Sequence, residues 1–408
     1  MISNKKTLGI LFFILSYTSL IISFFFNEDG SGGGSKGDFE VTYGFIIALQ
    51  NNLLADPVNW TLVHTPLHFL ILSFVTRLIE DPYLLRFLFC IFSAVLPIIF
   101  YFIIDGLHNN KKYQENLIIL TCCIFFIPSF RYTSIWANNL ITSLVFFSIS
   151  IFFYKKWESS KTNHLSKNVL YQIIFLILAT YTRQYFAVFF IYFLSHYYKE
   201  LKLKSFLKLF SLCVLSSIPV FLYVYKFPEL LTGQKISIYA MNNFILGNTS
   251  MMSLTLYPII LINIIYKNIK YRNFLISSMA SFLIVTFLSL NLNIESWLGG
   301  GANFMLSRNI FDNNLYFYFT SFFTIATALY LVIENKENLI LVLTLIFMFF
   351  SYQVYQRYYD PMFFLIFFTL IKSNLSNIFF INKKAVILLF LYFVFYYLVS
   401  LSNIIYKI

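Results

Sequence analysis

Thirteen apolar runs punctuate this chain, at residues 7–26, 82–104, 117–130, 138–154, 168–181, 183–198, 206–225, 251–266, 273–291, 314–333, 339–355, 358–371 and 385–406. A bilayer core takes about 20 helical residues to cross, and only a helix or a closed barrel satisfies its own backbone there. The pattern predicts an all-α, polytopic transmembrane protein of about 11–13 spans. Segment 65–79 is the ambiguous one, because it is brief and carries Arg77. If it lies along the membrane surface, Lys111-Lys112, the Lys155–Lys167 loop, Lys199–Lys208, Lys267–Arg272 and Lys383-Lys384 all fall on the side of Lys5-Lys6. If it crosses, most of those clusters fall outside. The positive-inside tendency selects a surface helix and a cytoplasmic N-terminus.

Composition agrees with a membrane protein. The 408 residues are 59% hydrophobic and 11% charged. No soluble core needs that much apolar surface, so residues 1–408 read as one membrane-embedded domain. The net charge of +12 does not imply nucleic acid, because the cations sit in short loops between apolar runs. Cys90, Cys122, Cys123 and Cys213 all fall inside predicted spans, where small core residues are expected rather than disulfides or zinc. Lys5-Lys6 precede a long apolar run with no small-residue cleavage site, so an uncleaved first helix is expected.

With that topology the two kinds of cation separate. Six of the seven arginines (Arg77, Arg86, Arg131, Arg183, Arg308 and Arg357) lie on the outer side, and the inner side is lysine-rich with Arg272 alone. Lysine serves topology as a point charge, whereas arginine offers a planar fork for phosphate or carboxylate. An outer face rich in arginine and acids suits an anionic or phosphorylated substrate. The competing reading is that arginines tolerate partial burial and pair with outer acids. Outer loops are expected at 27–81, 131–137, 226–250 and 292–313. Gly32-Gly33-Gly34 and Gly299-Gly300-Gly301 fall in two of them. Consecutive glycines can converge backbone N–H groups on an anion, but these lack a Gly-Lys-Ser/Thr ending, and flexible-loop glycine is the simpler reading.

Loop 27–81 has the richest chemistry. An extended Asp38-Phe39-Glu40 would turn both carboxylates to one side, able to hold a divalent ion or to supply a general base. Alternatively, Asp38 and Glu40 cap a surface helix over 40–54. Asp56 and Trp60 follow, then His64-Thr65-Pro66-Leu67-His68. Histidines four apart share a helix face and can bind a metal, although no Glu follows His64 as in a metalloprotease helix. Arg183-Gln184 interrupts two apolar runs, where a charge is costly unless it faces a polar cavity, and Arg183 is a candidate for a lipid phosphate. Its alternative is a snorkelling or acid-paired arginine. Arg308 and Arg357 are further candidates for the phosphate, and Arg131 reads as a helix-end residue.

The acid-bearing first loop, the surface helix and the His64-Thr65-Pro66-Leu67 run resemble the GT-C glycosyltransferases, among them protein O-mannosyltransferases, lipid A aminoarabinose transferases and bacterial surface-polysaccharide relatives. Tyr83-Leu84-Leu85-Arg86 is similar to that superfamily's arginine at the head of the next helix. Gln356-Arg357-Tyr358-Tyr359-Asp360-Pro361 resembles its late Arg-Tyr-x-x-Pro element. The resemblance covers roughly the first 110 residues, with spot matches beyond. Two departures stand out. The acids read Asp-Phe-Glu where many members have adjacent Asp-Glu, so the base is either of the two. Loop 131–137 carries Arg131 but no acid.

The resemblance implies a GT-C-like fold with surface helices in a long first extracytoplasmic loop. It further implies an inverting transferase in a bacterial plasma membrane, with its active site facing outward. Its partners would be a polyprenyl-phosphate sugar donor, a lipid-linked glycan acceptor and the bilayer, with no nucleic acid. Asp38, with Glu40, would be catalytic. His64, His68, Arg86, Arg183, Gln184, Arg308, Arg357 and Tyr358 would bind the substrate or its phosphate, and Asp38 and Glu40 are the candidate ligands if Mg²⁺ or Mn²⁺ takes part. An O-antigen-type polymerase and a non-enzymatic flippase are the alternatives. A transporter of that kind is expected to show broken helices and comparable halves.

Overall fold

The computed structural model describes residues 4–31, 34–53, 55, 64–108, 111–160, 162–227, 241–290, 298–299, 301–349 and 353–405. Asp56, Trp60, Gly32, Gly33 and Gly300 lie outside the described residues. The chain is helical, as the apolar pattern predicts. It divides into two compact units. One is Met1–Gly233 with Phe393–Ile408, and the other is Gln234–Tyr392.

The first unit holds α1 (Asn4–Phe25), α2 (Gly34–Asn51), α3 (Leu67–Thr76), α4 (Pro82–Ser93), α5 (Val95–His108), α6 (Gln114–Cys122), α7 (Pro128–Ile135), α8 (Asn139–Ser160), α9 (Lys167–Thr182), α10 (Phe189–Glu200) and α11 (Leu203–Lys226). The second holds α12 (Met241–Ile265), α13 (Tyr271–Ser289), α14 (Gly301–Asn309), α15 (Leu315–Glu334), α16 (Asn338–Ile346), α17 (Met362–Thr369) and α18 (Asn374–Ile381). The final helix, α19 (Lys383–Ile405), is divided between them.

Among the described residues, eight helices are long and apolar enough to cross a membrane, or ten if each of two bent pairs counts once. This makes the chain an integral, multi-pass protein. The count is below the expected 11–13 because several apolar runs form short helices. Among the described residues, run 339–355 yields only Asn338–Ile346 as helix, and run 183–198 splits into a 3-10 turn, Gln184–Val188, and α10.

Proline makes the first break. Ile127 precedes Pro128 and is extended (φ −77°, ψ 116°), as the residue before a proline prefers, and the chain bends by 66° there. The second bent pair, 356–369 and 374–381, turns by 88°, and Ser373 caps the outgoing helix by accepting from the Leu375 N–H. Helix α3 has ten residues, or about 15 Å at 1.5 Å per residue, too short for a bilayer core.

Within each unit, loops that carry lysines meet through hydrogen bonds. In the first, the loop leading to Lys167 meets the start of α11 where the Lys202 N–H donates to Asn163 O at 3.0 Å. In the second, Asn268 bonds Asn374 O and Asn338 bonds Lys372 O, gathering Lys267, Lys270, Lys336 and Lys372.

The second unit's core is Leu246, Val285, Leu288, Phe304, Phe317 and Ile325. Small polar residues let its helices approach, as in the Ser250–Thr320 bond of 2.7 Å between α12 and α15. A two-residue parallel pairing, β1 (Leu298–Gly299) with β2 (Gln353–Val354), brings Gly301 to Gln356. Gly301 has φ +73°, and a Cβ there would stand 2.5 Å from Gln356 Oε1 and 2.8 Å from Met251 Cγ. Its role is therefore close packing at a left-handed backbone position.

Candidate functional site

Two helix ends build the candidate site. Helix α1 stops at Asn27, whose φ of +49° lets Glu28 N–H turn back to Ser23 O at 3.1 Å. Helix α7 stops in the same way at Ala137 (φ +46°), with Asn138 N–H reaching Thr133 O at 2.9 Å. Asparagine adopts this left-handed cap readily; alanine does so at a cost of about 1–2 kcal/mol. Both ends expose carbonyls at the negative pole of a helix dipole, and cations collect there.

Arg86, on α4, is buried and bridges the two ends. Its Nε donates to Ile135 O at 3.1 Å and its Nη2 to Asn27 Oδ1 at 3.0 Å. The guanidinium lies 3.6 Å from the Trp136 ring centre, with Phe24 and Phe39 further out at 5.3 and 5.6 Å. Trp136 Nε1 donates to Glu28 O at 3.0 Å. Arg131 is fully buried and bonds Glu28 at 3.2 Å, Ser19 Oγ at 3.1 Å, Ser19 O at 2.9 Å and Phe125 O at 3.0 Å. Ser23 also accepts from it, and Tyr397 stacks on it at 4.0 Å while donating to Glu28 at 2.9 Å. Arg131 is thus half of an internal ion pair and more than a helix-end residue.

His68 is buried on α3. Its Nε2 faces Ala137 O at 3.1 Å, and a carbonyl only accepts, so Nε2 carries the proton. Nδ1 then accepts from Thr142 Oγ1 at 2.9 Å. Burial lowers its pKa to about 3, partly offset by the Ala137 carbonyl and reinforced by Arg183, so the ring is neutral. Both ring nitrogens are engaged. His64 lies ahead of α3 at a half-buried bend, so the two histidines do not share a helix face. The His64/His68 metal reading is corrected on both counts.

Arg183 is buried where α9 ends. Nε donates to Asn139 Oδ1 at 2.6 Å, Nη2 to Asn138 Oδ1 at 3.1 Å and Nη1 to Tyr185 Oη at 3.3 Å. It is held inside the protein, and it does not snorkel. Gln184 opens the following 3-10 turn, half-buried.

The first-loop acids differ from expectation in their setting. Helix α2 begins at Gly34, and its N-terminus is capped by Asp29 and Ser31. Lys36 N–H donates to Asp29 Oδ2 at 2.9 Å and Ser35 N–H to Ser31 Oγ at 2.7 Å. Asp38 and Glu40 therefore lie inside the helix and do not cap it. Two residues on a helix are about 200° apart, so their carboxylates diverge. The extended Asp-x-Glu pair is not formed, and the two do not fit a shared Mg²⁺ or Mn²⁺. Among the described residues no cluster of three His, Cys, Asp or Glu side chains is placed to hold a metal. Asp38 is half-buried and Glu40 exposed. Phe39, between them, packs toward Trp136 at 6.3 Å between ring centres, which sets α2 over the arginine floor.

Segment 135–142 is therefore the meeting point of His68, Arg86 and Arg183. Glu28, Trp136, Asn138, Asn139 and Thr142 complete the floor, and sequence reading passed over them. The usable signal was Asn138-Asn139 opening an apolar run, since paired amides at a span's head need buried partners.

Arg308, Arg357 and Tyr358 belong to the second unit. Arg308 is exposed beside Phe304 at 5.4 Å. Arg357 is half-buried between Tyr355 and Tyr358 at 5.3 and 5.9 Å, and Tyr358 stacks on Phe349 at 5.0 Å. Asp360 is buried and accepts from Gln356 Nε2 at 2.6 Å. Compared with known proteins, the chain matches no family model, no curated protein and no solved structure.

Proposed function

We propose that this chain is a membrane glycosyltransferase of the inverting kind, moving a sugar from a polyprenyl-phosphate donor to a lipid-linked glycan or a similar acceptor. One observation carries the reading: Asp38, a half-buried acid, is on α2 next to Phe39, which packs toward Trp136 and Arg86 of the buried floor. Asp38 takes the proton of the acceptor hydroxyl, whose oxygen attacks the anomeric carbon. The bond from that carbon to the phosphate oxygen breaks, and its electron pair leaves with the polyprenyl phosphate. A positioned base contributes about 10²–10⁴ in rate. Arg86 and Arg183 are buried, so their part is a fixed positive field favouring charge that develops on the leaving phosphate. His68 and Asn138-Asn139 position that floor. Arg308, Arg357 and Tyr358 remain candidates for phosphate or sugar contact on the second unit. The diverging Asp38 and Glu40 offer no shared metal site, and no step is assigned to an ion. The proposed setting is a bacterial plasma membrane, with the active site facing outward.

A second reading has its own support. Bent apolar helix pairs and a buried acid such as Asp360 are features of transporters. Purified protein in proteoliposomes, given polyprenyl-phosphate sugars and lipid-linked glycan, separates the two. The transferase predicts release of polyprenyl phosphate with growth of the glycan by one sugar. Glycan translocation without any such release would replace it with the transporter.

A further inference from the structure

Helices α2 and α3 enclose a cavity of about 430 Å³ that none of the candidate site residues lines. Tyr43, Ile47 and Gln50 form its α2 wall at helical spacing, and Thr76, Arg77 and Glu80 form the other. The walls are tied together at two points. Tyr43 Oη donates to Glu80 O at 2.7 Å, and Gln50 Nε2 donates to Thr76 Oγ1 at 2.7 Å. Burial, then Asp81 and Glu80, raises the Tyr43 pKa, which keeps it a neutral donor.

The charges at the rim are of opposite sign. Arg77 lies over the Phe74 ring at 5.0 Å, with a long contact of 3.4 Å from Nη2 to Gln50 O. Its side chain and that of Glu80 are both exposed, and among the described residues the two do not form an ion pair with each other. A guanidinium fork matches a phosphate, and a carboxylate matches a primary ammonium. Exposed apolar side chains lie on or just beyond these short helices: Phe74 on α3 is 54% exposed, Leu53 after α2 is 54% exposed and Leu78 after α3 is 88% exposed. Such side chains suit acyl chains at the membrane boundary.

We propose that the cavity between α2 and α3 receives a phosphoethanolamine-type lipid headgroup, with the phosphate on Arg77 and the ammonium on Glu80. The lipid fastens the α2–α3 pair to the bilayer surface. The inference is independent of sugar transfer, since it uses neither Asp38 nor the arginine floor.

The test is a thermal-shift titration of the purified full chain in detergent micelles doped with phosphatidylethanolamine, phosphatidylcholine or phosphatidylglycerol. Phosphatidylethanolamine should act at about tenfold lower mole fraction than the other two, because trimethylation removes the ammonium donors and glycerol has no charge for Glu80. Arg77→Gln should weaken the response to phosphatidylethanolamine and phosphatidylglycerol alike. Glu80→Gln should abolish the preference and leave phosphatidylglycerol unweakened. Both positions are exposed, so the variants should fold. Equal responses to the three lipids in the unaltered protein, or an unchanged preference in both variants, overturns the proposal. Soluble phosphoethanolamine acting as strongly as the lipid overturns the membrane as its source.

Discussion

Arg131 and Arg357 carry the same charge in the two units and live in opposite circumstances. Arg131 is sealed in, paired with Glu28 and bonded to Ser19, Ser23 and Phe125 O. Arg357 sits half-buried on a short 3-10 turn between two tyrosine rings. Burial decides what each arginine can do. A sealed arginine organises helix ends, and a half-exposed one retains surface to offer a ligand. The same division separates Arg86 and Arg183 from Arg77 and Arg308.

The sharpest way to break this comparison is Glu28→Gln. It leaves the Arg131 charge buried without its carboxylate, and unpairing a buried ion costs about 3–5 kcal/mol. Thermal or denaturant unfolding of the purified protein measures it, and replacing Arg131 by methionine in the same chain should restore part of the loss. A cost below about 1 kcal/mol, typical of surface pairs, would mean the pair is solvated and Arg131 is not sealed. In the second unit, Gly301→Ala probes the packing beside Arg357. The left-handed backbone and the 2.8 Å approach to Met251 Cγ predict a loss of about 1–3 kcal/mol. Neutral stability there would show that the turn carrying Gln356 can move aside.

A third effect depends on pH. The pKa of His68 falls from the ordinary 6.5 to about 3 on folding. Between those values the unfolded chain binds the extra proton, so this group's contribution to stability is intact above pH 6.5. It is lost as pH falls toward 3, by about 1.4 kcal/mol per pH unit. His68→Gln should flatten that slope in melting temperatures taken from pH 7.5 to 5. An unchanged slope would assign it to other groups.

Much of the fold was legible because apolar runs report helices directly. Other parts were hidden for physical reasons. The stretch Asn27–Ser35 reads as a flexible glycine loop, yet Asp29 and Ser31 use it to start α2 six residues before the expected helix at 40. That shift puts Asp38 and Glu40 on diverging faces. The Glu28–Arg131 pair joins residues 103 apart in the chain, a separation that local pattern does not report. Arg86 and Arg183 are satisfied by carbonyls and amides, partners that composition cannot distinguish from ordinary polar residues.

The central claim is that Asp38, on α2 above the arginine floor, is the base of a sugar transfer. The direct test measures turnover of a polyprenyl-phosphate sugar by purified Asp38→Asn and Glu40→Gln proteins. Asparagine is nearly the size of aspartate but does not take up a proton usefully. Asp38→Asn should therefore fold normally and lose about 10²–10⁴ in turnover, while exposed Glu40→Gln loses little. The reverse ordering would move the role to Glu40, and near-normal turnover in both would contradict the account.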